Sequence, residues 1–222
     1  LHLAIRTTEV EIIKLLIDKG ADVNASNNDG YTPLNLAFIA IRDDTNLTEV
    51  VMALIDKGAD VNSRNPYGST PLHNAWGMGI TMIPNMLLVS TFIDKGSDVN
   101  ARNIQGRTLI HLSLMFNTIR NDLVYYVNYL IKKGADVNVK DNNEDTPLHY
   151  AFKTKLPKIA KLLIEAGANI NAENAYGEIP QNYINPIEYE QYGLELSHNA
   201  KEEFIKDGVY ELRKYDESFD YI

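Results

Sequence analysis

The 222-residue sequence contains no cysteine, which excludes disulfide bonds, thiolate nucleophiles and cysteine-ligated metal sites. Cationic residues are scarce relative to acids, 21 Lys and Arg against 30 Asp and Glu, for a net charge of −9. A phosphate backbone needs a broad cationic surface, so nucleic acid is not an expected partner. No apolar run approaches the roughly 18 residues that a membrane-spanning helix requires. Glycine-rich phosphate loops following a strand, GxSxG and HExxH are all missing, and no nucleophile, histidine and carboxylate set stands out. Catalysis and a bound cofactor are therefore not expected.

What is present is repetition. The stretch from Thr146 to Asn171 reads as two helices and an exit. Thr146 suits an N-cap and Pro147 a first helical position, where its missing N–H costs nothing, so a first helix is predicted over about Pro147 to Lys153. Leu156-Pro157 starts a second, with Ile159, Leu162, Leu163 and Ala166 on one face and Gly167 as its left-handed stop. The alternation over Ala168 to Asn171 predicts a short extended strand. Neither helix is long enough to stand alone in water, so each unit must bury its apolar face on another copy.

Copies are spaced regularly. Gly20, Gly58, Gly96, Gly134 and Gly167 each end an apolar helix and precede "ADVN" or a near variant, at intervals of 38, 38, 38 and 33 residues. The recurring "TPLH" opening, the "GADVN" exit and the 33-residue interval together resemble the ankyrin repeat, over Leu1 to about Asn174. The resemblance implies a mainly α fold: a solenoid of stacked helix–turn–helix units linked by short β-hairpin turns. One continuous domain over 1–222 is expected, with a truncated first unit (1–28) that opens in mid-motif, inside a longer natural chain. Long units follow at 29–66, 67–104 and 105–142, then a standard unit (143–174), a degenerate capping unit (175–208) and an acidic tail (209–222). The three long units carry five extra residues between their helices, Pro33 to Gly58, Pro71 to Gly96 and Leu109 to Gly134 spanning 25 positions where Pro147 to Gly167 spans 20. Adjacent inserts should line up as a ridge.

Individual residues carry further expectations. Thr8 and Glu11 have the spacing of a capping box. His2, His73, His111 and His149 recur in one slot, filled by Asn35 in the second unit; in the ankyrin pattern this histidine hydrogen-bonds between units. A shared metal would need rings far closer than stacked helices about 8 to 10 Å apart allow. Ile5, Phe38, Trp76, Leu114 and Phe152 form a bulky column that should pack beneath the neighbouring unit. Glu144 occupies a turn slot that holds Gly30, Gly68, Gly106 and Gly177 elsewhere, where positive φ is expected.

Two surfaces are left for a partner. The resemblance implies that turn residues and the first helices form a concave binding face, which singles out Tyr31, Tyr67, Arg107 and Tyr176. Beside them Arg64, Arg102 and Lys140 repeat at one position, a basic column suited to an acidic segment and expected to steer partner choice without supporting the fold. The insert ridge offers Met78, Ile80 and Met82, with mutual packing of the inserts the favoured outcome. The reading is a monomeric protein–protein interaction module or scaffold with no activity of its own, inside a cell, in its cytoplasm or delivered to a host's. The alternatives are the targeting part of a larger enzyme or host-directed effector, and a plain structural spacer.

Overall fold

The structure, a computed structural model, describes residues 1–77, 85–115, 122–184 and 192. Its helices come in pairs: α1 (His2–Thr7) with α2 (Val10–Asp18), α3 (Pro33–Ala40) with α4 (Asp44–Asp56), and α5 (Pro71–Gly77) with α6 (Met86–Asp94). The remaining pairs are α7 (Leu109–Met115) with α8 (Leu123–Lys132) and α9 (Pro147–Lys153) with α10 (Pro157–Glu165), followed by a 3-10 turn, Pro180–Tyr183. The inner helices α1, α3, α5, α7 and α9 pack side by side in chain order, and the 3-10 turn takes the next place against α9. Each outer helix lies on its own inner helix. No strand occurs among the described residues, and the fold is an α-helical repeat solenoid.

The inner helices start where Thr-Pro predicts. Pro33 and Pro147 occupy first-turn positions behind Thr32 and Thr146, and the Thr32 hydroxyl accepts the backbone N–H of Asn35 at 3.2 Å. Gly167, at φ +92°, closes α10 in the left-handed conformation that a Cβ disfavours.

The bulky column does pack beneath its neighbours. Ile5, Phe38, Trp76, Leu114 and Phe152 are all buried. Phe38 meets Phe92 of the next outer helix with ring centroids 6.0 Å apart, Trp76 meets Tyr126 edge-on at 5.8 Å, and Phe152 stacks on Tyr192 at 4.6 Å. Each such ring removes apolar surface from water at both units, about 1.5 to 3 kcal/mol per fully buried side chain. The joint between units is therefore hydrophobic in its centre.

Three local expectations are corrected. Thr8 does not cap α2: it ends α1 at φ +59°, donating its N–H to Ile5, while Glu9 holds the N-cap position of α2 without a side-chain bond. The box spacing is a local signal, and the two-residue link between α1 and α2 overrides it. The exit after each outer helix is a turn, not a strand: Asp22, Asp60, Asp98, Asp136 and Asn169 each accept the N–H two residues on, as Asp60 does from Asn62 at 2.8 Å. A side chain that captures its own backbone in this way replaces a strand ladder. Third, the extra residues of the second unit do not all lie between its helices, because α4 already begins at Asp44. Asp43, within the insert, caps it by accepting from Asn46 at 2.8 Å, and Ile41 is buried.

Candidate partner-binding edge

Each unit after the first opens on a reversal built by an Asn or Asp, at Asn27, Asn65, Asn103, Asp141 and Asn174. In the turn at Asn103 the side-chain oxygen accepts the N–H groups of Gln105 and Arg107, both at 3.0 Å, while the backbone N–H of Asn103 donates to the Arg107 carbonyl at 3.0 Å. The chain returns through Gly106, at φ +73°, where a Cβ would lie 2.7 Å from Arg102 Nη2 and 2.9 Å from the Asn142 nitrogen. Successive turns are joined by single backbone bonds, Ile104 to Tyr67 at 3.2 Å, Asn142 to Gln105 at 3.0 Å and Ala175 to Asn143 at 2.9 Å. From Asn65 onward the turns thus form a continuous edge. Tyr67, Ile104 and Tyr176 project from it, 60, 55 and 75 % exposed.

The basic column runs along this edge, and it is bound into it. Arg64 Nη1 donates to the carbonyl of Gly68 in its own turn at 2.8 Å and to the carbonyl of Arg102 in the next unit at 2.6 Å. Arg102 repeats the pattern, Nε to Gly106 at 3.1 Å and Nη2 to Lys140 at 2.8 Å. Lys140 donates to the Glu173 carbonyl at 2.8 Å and pairs with Glu144 at 2.9 Å. The expectation that these residues take no part in the fold therefore fails: each links two units. Their charge still faces outward, and neither arginine pairs with a carboxylate among the described residues.

Behind the edge lies a row of buried imidazoles. His111 Nδ1 accepts the N–H of Thr108 at 3.2 Å, so its proton sits on Nε2, which donates to the Asp145 carbonyl of the next unit at 3.1 Å. His73 and His149 repeat this toward the carbonyls of Arg107 and Glu178, and His2 Nε2 lies 2.9 Å from the Tyr31 carbonyl. Burial, more than any charge, pushes His73 and His111 down to about 4 and lowers His149. The rings of His73, His111 and His149 are neutral structural bridges.

A second ladder was not anticipated. Asn24, Asn62, Asn100 and Asn138 each hold the next unit by two bonds, Nδ2 to the helix-ending glycine carbonyl and Oδ1 from the amide two residues beyond. The recurrence of Asn at every exit was visible, but its partners are 29 to 36 residues away.

Toward the C-terminal end the inner face is polar. Arg107 Nε donates to the Tyr150 hydroxyl at 3.0 Å, and that hydroxyl donates to Asp141 at 2.7 Å. Burial works against the charge on Asp141, yet Tyr150 and the amides of Asn143 and Asp145 hold its carboxyl below the usual range, while burial and Asp141 push the phenol of Tyr150 well up. Lys153 bonds Asp145 at 2.6 Å and lies 4.6 Å from the Tyr183 ring centre; Tyr183 in turn donates to Glu178. Arg107 is thus fixed against Tyr150 of α9 and Asp141 of the next turn, not held out at its own turn tip.

Of the residues singled out from sequence, Tyr67, Arg64, Arg102, Lys140 and Tyr176 share the edge. Tyr31 is half-buried; burial, followed by its neighbour Tyr67, raises its phenol. Met78, Ile80 and Met82 lie outside the described residues. Ile104 was missed because its turn slot holds Asn28, Pro66, Asn142 and Ala175 elsewhere, so no recurring residue type marks it. A family model described as "Ankyrin repeats (3 copies)" matches residues 1–65 and 84–174. No curated protein matches the chain.

Proposed function

The chain belongs to the ankyrin-repeat family, and from that membership we propose that it is a monomeric protein-binding module without catalysis of its own, engaging a partner along its turn edge and the adjoining concave helix face. Proteins of this kind bind other proteins through a rigid scaffold, and rigidity is what the ladders of His, Asn and basic side chains supply. The observation that supports the edge is the exposure of Tyr67, Ile104 and Tyr176 on turns that are otherwise tightly hydrogen-bonded. Large side chains held out on a fixed backbone lose little entropy on binding and gain much buried area.

The test is a comparison of surfaces. The triple variant Tyr67→Ser, Ile104→Ser, Tyr176→Ser should keep its melting temperature and lose a cross-linkable partner. The outer-face variant Leu87→Ser, Tyr125→Ser, which alters two exposed residues of α6 and α8, should keep that partner. The opposite pattern would move the binding surface to the outer helices.

A further inference from the structure

Several cations in this structure face a carboxylate, among them Arg6, Lys14, Lys57, Arg107, Lys133 and Lys153. Among the described residues Arg64 and Arg102 do not, although the chain is acidic overall. Both are exposed, yet both are immobilised by bonds to backbone carbonyls on two sides. Carbonyls consume donors without neutralising charge, so two fixed positive charges remain, with donor capacity to spare at Arg64 Nε and Nη2 and at Arg102 Nη1. Lys140 continues the line with its charge shared with Glu144.

The spacing follows from the stack. Each guanidinium touches the carbonyl of the residue from which the next basic side chain springs, so the cations repeat once per unit, about 10 Å for packed helices. The exposed Tyr67 and Ile104 adjoin Arg64 and Arg102 through the bonded turns between them. A partner must therefore present carboxylates about 10 Å apart on one side. In a β-strand, residues three apart point to opposite faces. In a polyproline II segment they return to the same face after three residues, about 9 Å along the axis. That conformation also leaves its backbone carbonyls free for the spare guanidinium donors, and extended proline-rich chains dock on aromatic side chains such as Tyr67.

We propose that Arg64, Tyr67, Arg102, Ile104 and Lys140 form a docking strip for an acidic polyproline II segment of another protein, with Asp or Glu at every third position. The proposal rests on the reading of the turn edge as the binding surface and adds the chemistry of the occupant. Glu144 acts within it as a built-in competitor for Lys140.

The experiment uses the full chain and labelled peptides followed by fluorescence anisotropy. A (Glu-Pro-Pro) repeat should bind at low salt, and binding should weaken as salt rises through the range where the Debye length falls below the cation spacing. A peptide with the same glutamates at every fourth position and a (Gln-Pro-Pro) repeat should each bind at least about threefold more weakly, the cost of losing one or more exposed pairings; a helical peptide with acids seven residues apart keeps nearly the same spacing but should also bind more weakly, because its internally bonded carbonyls are closed to the spare guanidinium donors. Glu144→Gln removes the competing charge without changing side-chain size and should tighten binding about two- to fivefold. Arg102→Gln should weaken it, with circular dichroism checking the fold. Equal binding of the Glu and Gln peptides, no dependence on spacing, or an unchanged Glu144→Gln variant would each overturn the proposal. If these fail while the Tyr67, Ile104 and Tyr176 variant still loses its partner, the binding edge stands and only its occupant was misassigned.

Discussion

Asn100 and Asp136 meet across the joint between two units: the side-chain oxygen of Asn100 accepts the backbone N–H of Asp136 at 2.8 Å, while its Nδ2 donates to the Gly134 carbonyl at 2.9 Å. One amide thereby satisfies both a donor and an acceptor that the end of α8 leaves open, and ties the outer end of one unit to the next. This explains why asparagine, which offers both functions, recurs at the exit.

Asn100→Ala should therefore cost about 1 to 2 kcal/mol, two hydrogen bonds at roughly 0.5 to 1.5 each, in part solvent-exposed. Asn100→Asp should not rescue it, since a carboxylate keeps the acceptor but faces the Gly134 carbonyl without a proton. Urea denaturation midpoints measure both. A silent Asn100→Ala would mean that water replaces the bridge without loss.

Acid should loosen the stack. His73 and His111 are held near 4 when folded, well below the ordinary 6.5, so the unfolded chain binds more protons between these values. Stability from the neutral rings is complete above about pH 6.5 and drains away as pH falls toward 4, by about 2 to 4 kcal/mol for each ring. Melting temperatures taken from pH 7.5 down to 4 should fall through that window. A flat profile would show that the rings titrate without opening the structure.

Glu144 and Thr8 stand at φ +59°, a region costly for residues with a Cβ. Glu144→Gly relieves about 1 kcal/mol but forfeits the exposed pair with Lys140, so its net gain should stay below that figure. Thr8→Gly should gain more, because a β-branched side chain is strained most there. Thermal melts of the two variants settle the order, and a loss in either would mean that the side chain contributes a contact outweighing the backbone strain.

Asn35 is buried with its Oδ1 unpartnered, while its Nδ2 donates to Thr32 and Ser63 at 2.9 and 3.0 Å. The shorter amide is met halfway by Ser63, where the next unit, with His73, has Ala101. Asn35→His with Ser63→Ala should copy the neighbouring arrangement, its Nε2 reaching the Ser69 carbonyl, and stabilise by about 1 kcal/mol or more through removal of a buried orphan. Ser63→Ala alone should destabilise. A double-mutant cycle would show strong non-additivity, and additive effects would refute the pairing.

Much of the architecture was legible because its signals are local and recur in phase. Thr146-Pro147 and Pro157 placed α9 and α10, and five glycines at near-constant spacing marked the ends of the outer helices. Where two local signals compete, pattern alone misleads: Asp60 beside Val61 looks like strand alternation, and only the capture of the Asn62 amide makes it a turn. At Thr8 the short connection to α1 decided the backbone, not the Glu three residues on. Arg64, Arg102 and Lys140 looked like free surface charge, because the carbonyls that hold them belong to other turns and other units.

The amino-acid sequence alone determined the repeating unit, the order of its helices, its apolar faces and the solenoid they must build, since short amphipathic helices have no stable alternative to stacking. The tertiary structure decided which side chains are spent on that stacking and which are left over. Asn100, His111 and Arg102 each bond a residue 34 to 38 positions away, a distance that no local pattern encodes. Only when those bonds are formed does the remaining surface emerge as a fixed edge, with Tyr67 and Ile104 exposed on it and two arginines that pair with no carboxylate among the described residues.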